Sequence, residues 1–454
     1  MVKKSRREFI KNAGLGCLSL SVTPYLIGIN NEASSETVGN FNKHSFLNPD
    51  LISWNDIGPL QDPNEFGVMV PKGMQCKLIA QSGKKISNSY IWHGSPDGAS
   101  IFPSNNGWIY VSNSELGDNE GGVGVIKFNR DGNIEDSYSI LQNSSRNCSG
   151  GKTPWNTWLS CEEHSKGIVW ETSPIKNDPN FPKKREMLGA FRHEGAAIDP
   201  KSNFIYMTHD DMEGFFYRFI SNEIAGSEEY YLRGELQAAK VNSDASVTWI
   251  KVPDPLAKEK SIIEQIPEAT VFKRGEGIAY FNRKIFFTTT HDHRVWIYEP
   301  DINKISLFYD GIQKNNYTNP FNFFNRWRKD SDGYALKSPD QMTVNADGYP
   351  LVAEDGDNME LCFLDNDGFA KPLVRLDGHW LSEITGPAFS PDGSRLYFSS
   401  QRGRTGSRRT GGMTFEIKKI DPIDLQPRKG IGVSLPFSGL YLDQLPSNHS
   451  ILGL

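Results

Sequence analysis

The chain has 454 residues, and its 49 basic against 55 acidic side chains leave a formal net charge of −6. That balance offers no basic face and argues against nucleic acid as a non-specific partner. With 42 glycines, 26 prolines and abundant aromatics but little helical periodicity, the composition excludes a helical bundle and fits many short strands joined by turns.

The first 35 residues read as an export signal. Ser5-Arg6-Arg7-Glu8-Phe9-Ile10-Lys11 matches the twin-arginine pattern, an apolar run follows from Ala13 to Ile29, and Ala33-Ser34-Ser35 supplies small residues for cleavage. Residues 36–454 are then one domain, expected in the periplasm or outside the cell as a soluble monomer. No later stretch approaches the roughly 18 apolar residues that a membrane span needs. The segment from Glu36 to Lys85 is irregular and reads as a wrap or a partial first blade.

From there one phrase recurs: turn residues, a short strand, then acids or amides. It runs through Asn106–Asn113 to Glu115, through Trp155–Leu159 to Glu162 and Glu163, and through Asn203–Thr208 to His209, Asp210 and Asp211. It returns through Arg283–Thr290 to Asp292, through Asp347–Ala353 to Glu354 and Asp355, and through Asp392–Ser400 to Gln401. Six repeats at a spacing in the forties, two intervals stretched by insertions, predict an all-β, six-bladed β-propeller with inserted loops. A second phrase rich in small residues lies ahead of these strands, in His193–Ile198, Arg274–Ala279, Ser338–Met342 and Thr385–Phe389. Small side chains suit the innermost strands, which crowd round the axis. Segments 169–188 and 221–265 read as surface insertions, Asn315–Lys329 as an aromatic rim or lid, and Arg402–Gly412 as a solvated basic loop.

Asp210, Asp292 and Glu354 leave one strand, while Glu194 and Glu276 open another, so all are expected at one mouth of the channel. Clustered carboxylates repel one another unless cations sit among them. Oxygen donors select hard cations, and a thiolate among them selects a transition metal. Asn147-Cys148-Ser149-Gly150-Gly151-Lys152-Thr153-Pro154 places such a thiol beside the acidic Cys161-Glu162-Glu163 run. Cys148 is either a metal ligand or the partner of Cys161 in a disulfide. Gly151-Lys152-Thr153 is not a phosphate loop, because Arg146 stands where the motif needs glycine and Pro154 stops any helix. His93, His193, His209, His291 and His293 show no paired metal spacing and read as structural groups. Arg274, two residues ahead of Glu276, is placed to grip a phosphate or to pair with neighbouring acids.

These stretches resemble the PhoX-type alkaline phosphatase family. The likeness is carried by Asn147–Trp155 with Cys161-Glu162-Glu163, His193-Glu194, Gly214–Phe219, Arg274–Gly277, Ser338-Pro339-Asp340, Glu354-Asp355-Gly356 and Phe389–Gly393. The resemblance implies an exported hydrolase of phosphomonoesters that acts on small phosphorylated substrates with Ca²⁺ and Fe³⁺. It implies catalytic roles for Arg274, Cys148 and Glu276, substrate contacts from Arg274 and Lys152, and metal ligands in Cys148, Glu163, Glu194, Glu276, Glu354 and Asp355. Ser114 stands where the family often has histidine. Two other readings use the same residues: a phosphodiesterase on the same metals, and a non-catalytic propeller stabilised by calcium.

Overall fold

A computed structural model describes residue 54 and residues 58–87, 90–314, 336–356 and 358–420. The predicted export signal and the Asn315–Lys329 segment lie outside the described residues. The described strands form six sheets of four or five strands each. In chain order, the innermost strands are Pro96–Ser104, Asn147–Lys152, His193–Ile198, Gly275–Phe281, Pro339–Val344 and Ile384–Phe389. Each touches the next, and the sixth touches the first, so they close a ring round an axis. This is the six-bladed propeller expected from the repeats.

Every repeated apolar phrase is the second strand of its blade: Gly107–Ser114, Trp158–Glu162, Ile205–His209, Lys284–Thr289, Pro350–Glu354 and Arg395–Ser400. Only Trp158–Glu162 starts later than the spacing predicts. A turn takes up Thr153 to Asn156, with Asn156 at φ +63° and the Thr153 amide bonded to the Thr157 carbonyl at 2.9 Å. Two stretches read as insertions contain outer strands. Val169–Thr172 and Lys183–Lys184 complete blade 2, and Glu235–Val241 and Val247–Lys251 complete blade 3. Their polar, alternating residues suit the half-solvated rim of a blade, which masks them as loop.

The expected wrap closes the ring. Met74–Gln81 pairs with Met413–Lys419 as the outer strand of blade 6, and Val68–Met69 pairs with Ala370–Leu376 on blade 5. Residues from before blade 1 thus complete the last two blades.

Blades pack face to face through aromatics. Phe216 of blade 3 stacks on Phe287 of blade 4 at 4.5 Å, and Trp108 of blade 1 donates to the Tyr397 hydroxyl of blade 6 at 3.2 Å. Toward the axis there is no such room. A Cβ added to Gly98 would lie 2.5 Å from Ser149 Cα, and one on Gly277 would lie 2.5 Å from the Asp340 carbonyl oxygen. The small residues of the inner phrase are therefore a packing requirement of neighbouring inner strands.

Candidate metal centre at the channel mouth

Each inner strand carries a bulge close to its start, where two residues oppose one on the second strand. A bulge bends the strand and re-aims a side chain. In blades 1 to 5 the first bulged residue is Asp97, Cys148, Glu194, Glu276 and Asp340 in turn. In blade 6 it is Gly386, where a Cβ would meet the Asp97 carbonyl oxygen at 2.6 Å. Blade 6 supplies Glu383 instead, from the residue just ahead of its inner strand.

A second tier lies where each second strand ends. The residues there are Glu115, Glu163, Asp210, Thr290, Asp355 and Gln401. Each donates its amide to the carbonyl of the residue leading into the inner strand: Ser95, Arg146, Arg192, Arg274, Ser338 and Glu383, at 2.8–3.2 Å. Blades 1 to 5 are thus in strict register at the mouth, while in blade 6 the Glu383–Gln401 pair lies one residue further from the bulge. Bulge residues and exit residues face each other across it.

Three donor sets result: Cys148, Glu163 and Glu194; Glu194, Glu276 and Asp340, which shares Glu194 with the first; and, separately, Asp97, Glu115 and Glu383, each with ligand atoms within 4.8 Å of one another. At that separation two ionised carboxylates repel by about 3 kcal/mol at an effective dielectric constant near 20. Full ionisation of the set is therefore prohibitive unless protons or cations intervene. Burial, then the nearby Glu115, pushes the Asp97 carboxyl up to about 7. Burial, then Asp210, pushes Glu163 up to about 8. Glu194, Glu276, Asp340 and Glu383 are displaced upward for the same two reasons, burial first. The Cys148 thiol is also held protonated by burial and by Asp97 and Glu194, and it points at Glu194 Oε1 at 3.2 Å.

Bound cations would reverse each of these shifts, because they favour carboxylate and thiolate forms. The donors suit them: a thiol with two carboxylates fits a transition metal, and the all-carboxylate sets fit a hard cation. Glu276 Oε1 adds support, since it is buried 2.9 Å from Arg274 Nη2 yet receives no aligned hydrogen bond. The residues present therefore fit a cluster of metal ions.

The sequence-predicted residues divide into two groups. Cys148, Glu163, Glu194 and Glu276 gather at the mouth, with Asp355 hydrogen-bonded to Glu383. Arg274 joins them, its Nε 2.8 Å from Asp210 and its Nη2 beside Glu276. Glu354 does not. Its oxygens accept the backbone amides of Lys337 at 2.8 Å and Glu360 at 3.0 Å. Glu162 does the same in blade 2, taking the Ser145 and Ile168 amides. Side chains alternate along a strand, so of each acidic pair only the second residue, Glu163 or Asp355, enters the mouth.

Asp292 is also drawn aside, bonded to the Thr289 hydroxyl and 3.1 Å from Arg294. Lys152 lies four residues beyond Cys148, about 13 Å along an extended strand. Its ammonium donates to the Ile101 carbonyl at 2.9 Å and sits over the Phe102 ring, so the structure does not bring it to the cluster.

Cys161 is buried in the blade 2–3 core and both it and Cys148 are free thiols, which removes the disulfide reading. His93, His193 and His209 are buried imidazoles pushed down to about 3, 3 and 4, mainly by burial. They bond to Ser112, the Gly189 carbonyl and Tyr217 respectively, as structural groups do.

Asp97 and Glu383 were not singled out by the sequence, and Asp340 was named only within the Ser338-Pro339-Asp340 stretch, with no role as a ligand. Ser95-Pro96-Asp97 repeats Ser338-Pro339-Asp340, and that echo was the available signal. The basic Arg402–Gly412 loop is not free: Arg402 pairs with Glu383 at 3.1 Å and Arg408 with Glu115 at 3.2 Å.

Comparison with known proteins gives a family for the chain and a structure of the same fold. The family described as Alkaline phosphatase PhoX matches residues 121–178 and 164–403. The structure of Pseudomonas fluorescens PhoX in complex with vanadate, a transition state analogue, is similar at a TM-score of 0.64 with 17% identity, covering 81% of this chain and 98% of that one. A gluconolactonase from Xanthomonas campestris gives a TM-score of 0.45 at 9% identity, over 80% of this chain and 98% of that one. Regucalcin from Agrobacterium tumefaciens gives 0.42 at 13%, over 76% and 95%. No curated protein matches the chain by sequence.

Proposed function

The chain belongs to the alkaline phosphatase PhoX family, and from that premise we propose that it is an exported phosphomonoesterase that binds calcium and iron at the channel mouth. The observation that carries the metal assignment is the convergence of Cys148 with acids from all six blades, in donor sets of two chemical kinds. Cys148, Glu163 and Glu194 would hold iron. Glu276 and Asp340, and separately Asp97, Glu115 and Glu383, would hold calcium. Such ions, when bound, supply positive charge that stabilises a phosphoryl group as its bonds to oxygen change.

The remaining work belongs to the chain. Arg274 is the guanidinium best placed to orient the phosphate. Its Nε and Nη2 are fixed by Asp210 and Glu276, while Nη1 makes no hydrogen bond among the described residues and the side chain is part-exposed. A guanidinium held on one edge presents the other as a rigid donor to an incoming oxyanion. The left-handed backbone at Arg274, φ +53°, aims the side chain from its turn. Export rests on the Ser5–Lys11 pattern, and the twin-arginine machinery is the partner it implies.

The test is turnover of an aryl phosphate by the purified protein, before and after chelation, with elemental analysis of the same samples. Metal-dependent release of phosphate, with iron lost and calcium kept in Cys148→Ser, is the expected result. Chelator-insensitive turnover, or no turnover across pH 6–11, would refute the assignment.

A further inference from the structure

The register at the mouth makes Arg146, Arg192 and Arg274 equivalent. Each leads into the inner strand of its blade, and each carbonyl accepts the amide of its own blade's exit residue. Arg146 and Arg274 also share the left-handed backbone, at φ +52° and +53°. Two of the three reach back to the exit acid of the preceding blade. Arg274 binds Asp210 of blade 3 at 2.8 Å, and Arg192 lies 4.0 Å from Glu163 of blade 2.

By the same rule Arg146 should meet Glu115 of blade 1. Its side chain does lie toward that exit loop, since a Cβ on Gly117 would sit 3.9 Å from Arg146 Nε. But Glu115 is already taken by Arg408, reaching in from the Arg402–Gly412 loop of blade 6, and by Gln401 at 3.1 Å. Among the described residues no carboxylate lies within ion-pair distance of Arg146, which is exposed two residues from Cys148. The loop thus displaces a guanidinium that the blade geometry would otherwise neutralise, and leaves it on the rim.

We infer that Arg146 is a distal anion-binding residue, and that the esters favoured here carry a second oxyanion, phosphate or carboxylate, on the leaving group. This rests on the phosphatase reading and names its substrate class. Arg274 takes the phosphoryl group to be cleaved, and Arg146, on the opposite side of Cys148's neighbour Glu194 in the blade order, takes the other charge. An unpaired guanidinium at an exposed rim contributes up to about fivefold to binding such a group.

The experiment compares three esters of one carbon length: propyl phosphate, 3-(phosphonooxy)propanoate and propane-1,3-diol bisphosphate. For wild type the charged esters should have the higher kcat/KM, and the two arms show whether carboxylate or phosphate is preferred. In Arg146→Asn, a residue that tolerates the left-handed backbone, the ratio of kcat/KM for the esters with a second anion to that for propyl phosphate should fall about fivefold through KM. Arg146→Lys should keep part of it. A ratio within twofold of wild type in both variants overturns the inference while leaving the phosphatase reading intact.

If wild type cleaves none of the three, the phosphatase reading fails. Calorimetric binding of 3-phosphonopropanoate against propylphosphonate, neither of which can be hydrolysed, then judges the subsite alone. A preference for the doubly charged ligand that Arg146→Asn removes supports it, and no preference sinks it.

Discussion

The two halves of the channel mouth solve one electrostatic problem differently. In blades 2, 3 and 4 the bulge residues Cys148, Glu194 and Glu276 are each preceded two positions earlier by an arginine. In blades 5, 6 and 1 the equivalent positions hold Ser338, Ile384 and Ser95, with Glu383 just ahead of Ile384. There Asp97 is held by the carboxamides of Gln341 and Gln401, and among the described residues cationic charge arrives only from the Arg402–Gly412 loop. One half therefore combines a thiol with guanidinium groups, and the other is an oxygen-rich cage with neutral donors. The difference teaches that a propeller can build two unlike donor sets at one mouth by changing single residues at corresponding positions.

The comparison breaks most completely at Glu194, which belongs to both the thiol set and an all-carboxylate set. Glu194→Gln should lower kcat about 10³-fold, several kcal/mol of lost transition-state stabilisation, and elemental analysis should show both metals reduced. Retention of both metals would mean the halves do not meet there. Arg274→Ala should cost about 10²-fold in kcat/KM with metal content kept, and Arg274→Lys should recover only part of it, because an ammonium lacks the planar fork.

A smaller effect separates protonation from metal. Asp97 and Glu163 have folded-state values raised to about 7 and about 8, above their ordinary 3.8 and 4.5. The folded metal-free protein therefore binds more protons than the unfolded chain between those limits, and its stability falls as pH rises. The contribution of these two groups is fully present below about pH 4 and is lost as pH rises through about 7 to 8. Thermal melts of the chelated protein should show this decline, and added calcium should remove it with release of protons. A melt that is flat with pH would contradict the buried carboxylate cluster. Smallest of all, Lys152→Met should change turnover less than about threefold and stability by about 1 kcal/mol, one hydrogen bond's worth. A large loss confined to activity would return Lys152 to the site.

Legibility followed the range of the interaction. Cys148, Glu194 and Glu276 were visible because a bulge residue sits in a short phrase of small neighbours, His193-Glu194-Gly195 or Arg274-Gly275-Glu276-Gly277. Glu354 was misread in favour of the cluster because strand alternation only has meaning once the pairing Pro339 to Glu354 is known. Ser390-Pro391-Asp392 repeats the phrase of Asp97 and Asp340, yet Asp392 closes a hairpin turn with Ser390 and Ser394. The same three letters serve a site or a turn according to which end of a blade they occupy.

By itself the sequence determined the repeat: six apolar strands, four recognisable stretches of small residues ahead of them, and turns between, all set by local patterning and steric size. Tertiary structure alone decided which acids share a site. Asp97 and Glu383 are 286 positions apart in sequence yet share one donor set, and only closure of the ring brings blade 6 against blade 1. The partner of Glu115 was settled in the same way. Arg408 reaches it from the far end of the chain, and no local pattern carries the energy of a contact that exists only after the ring has closed.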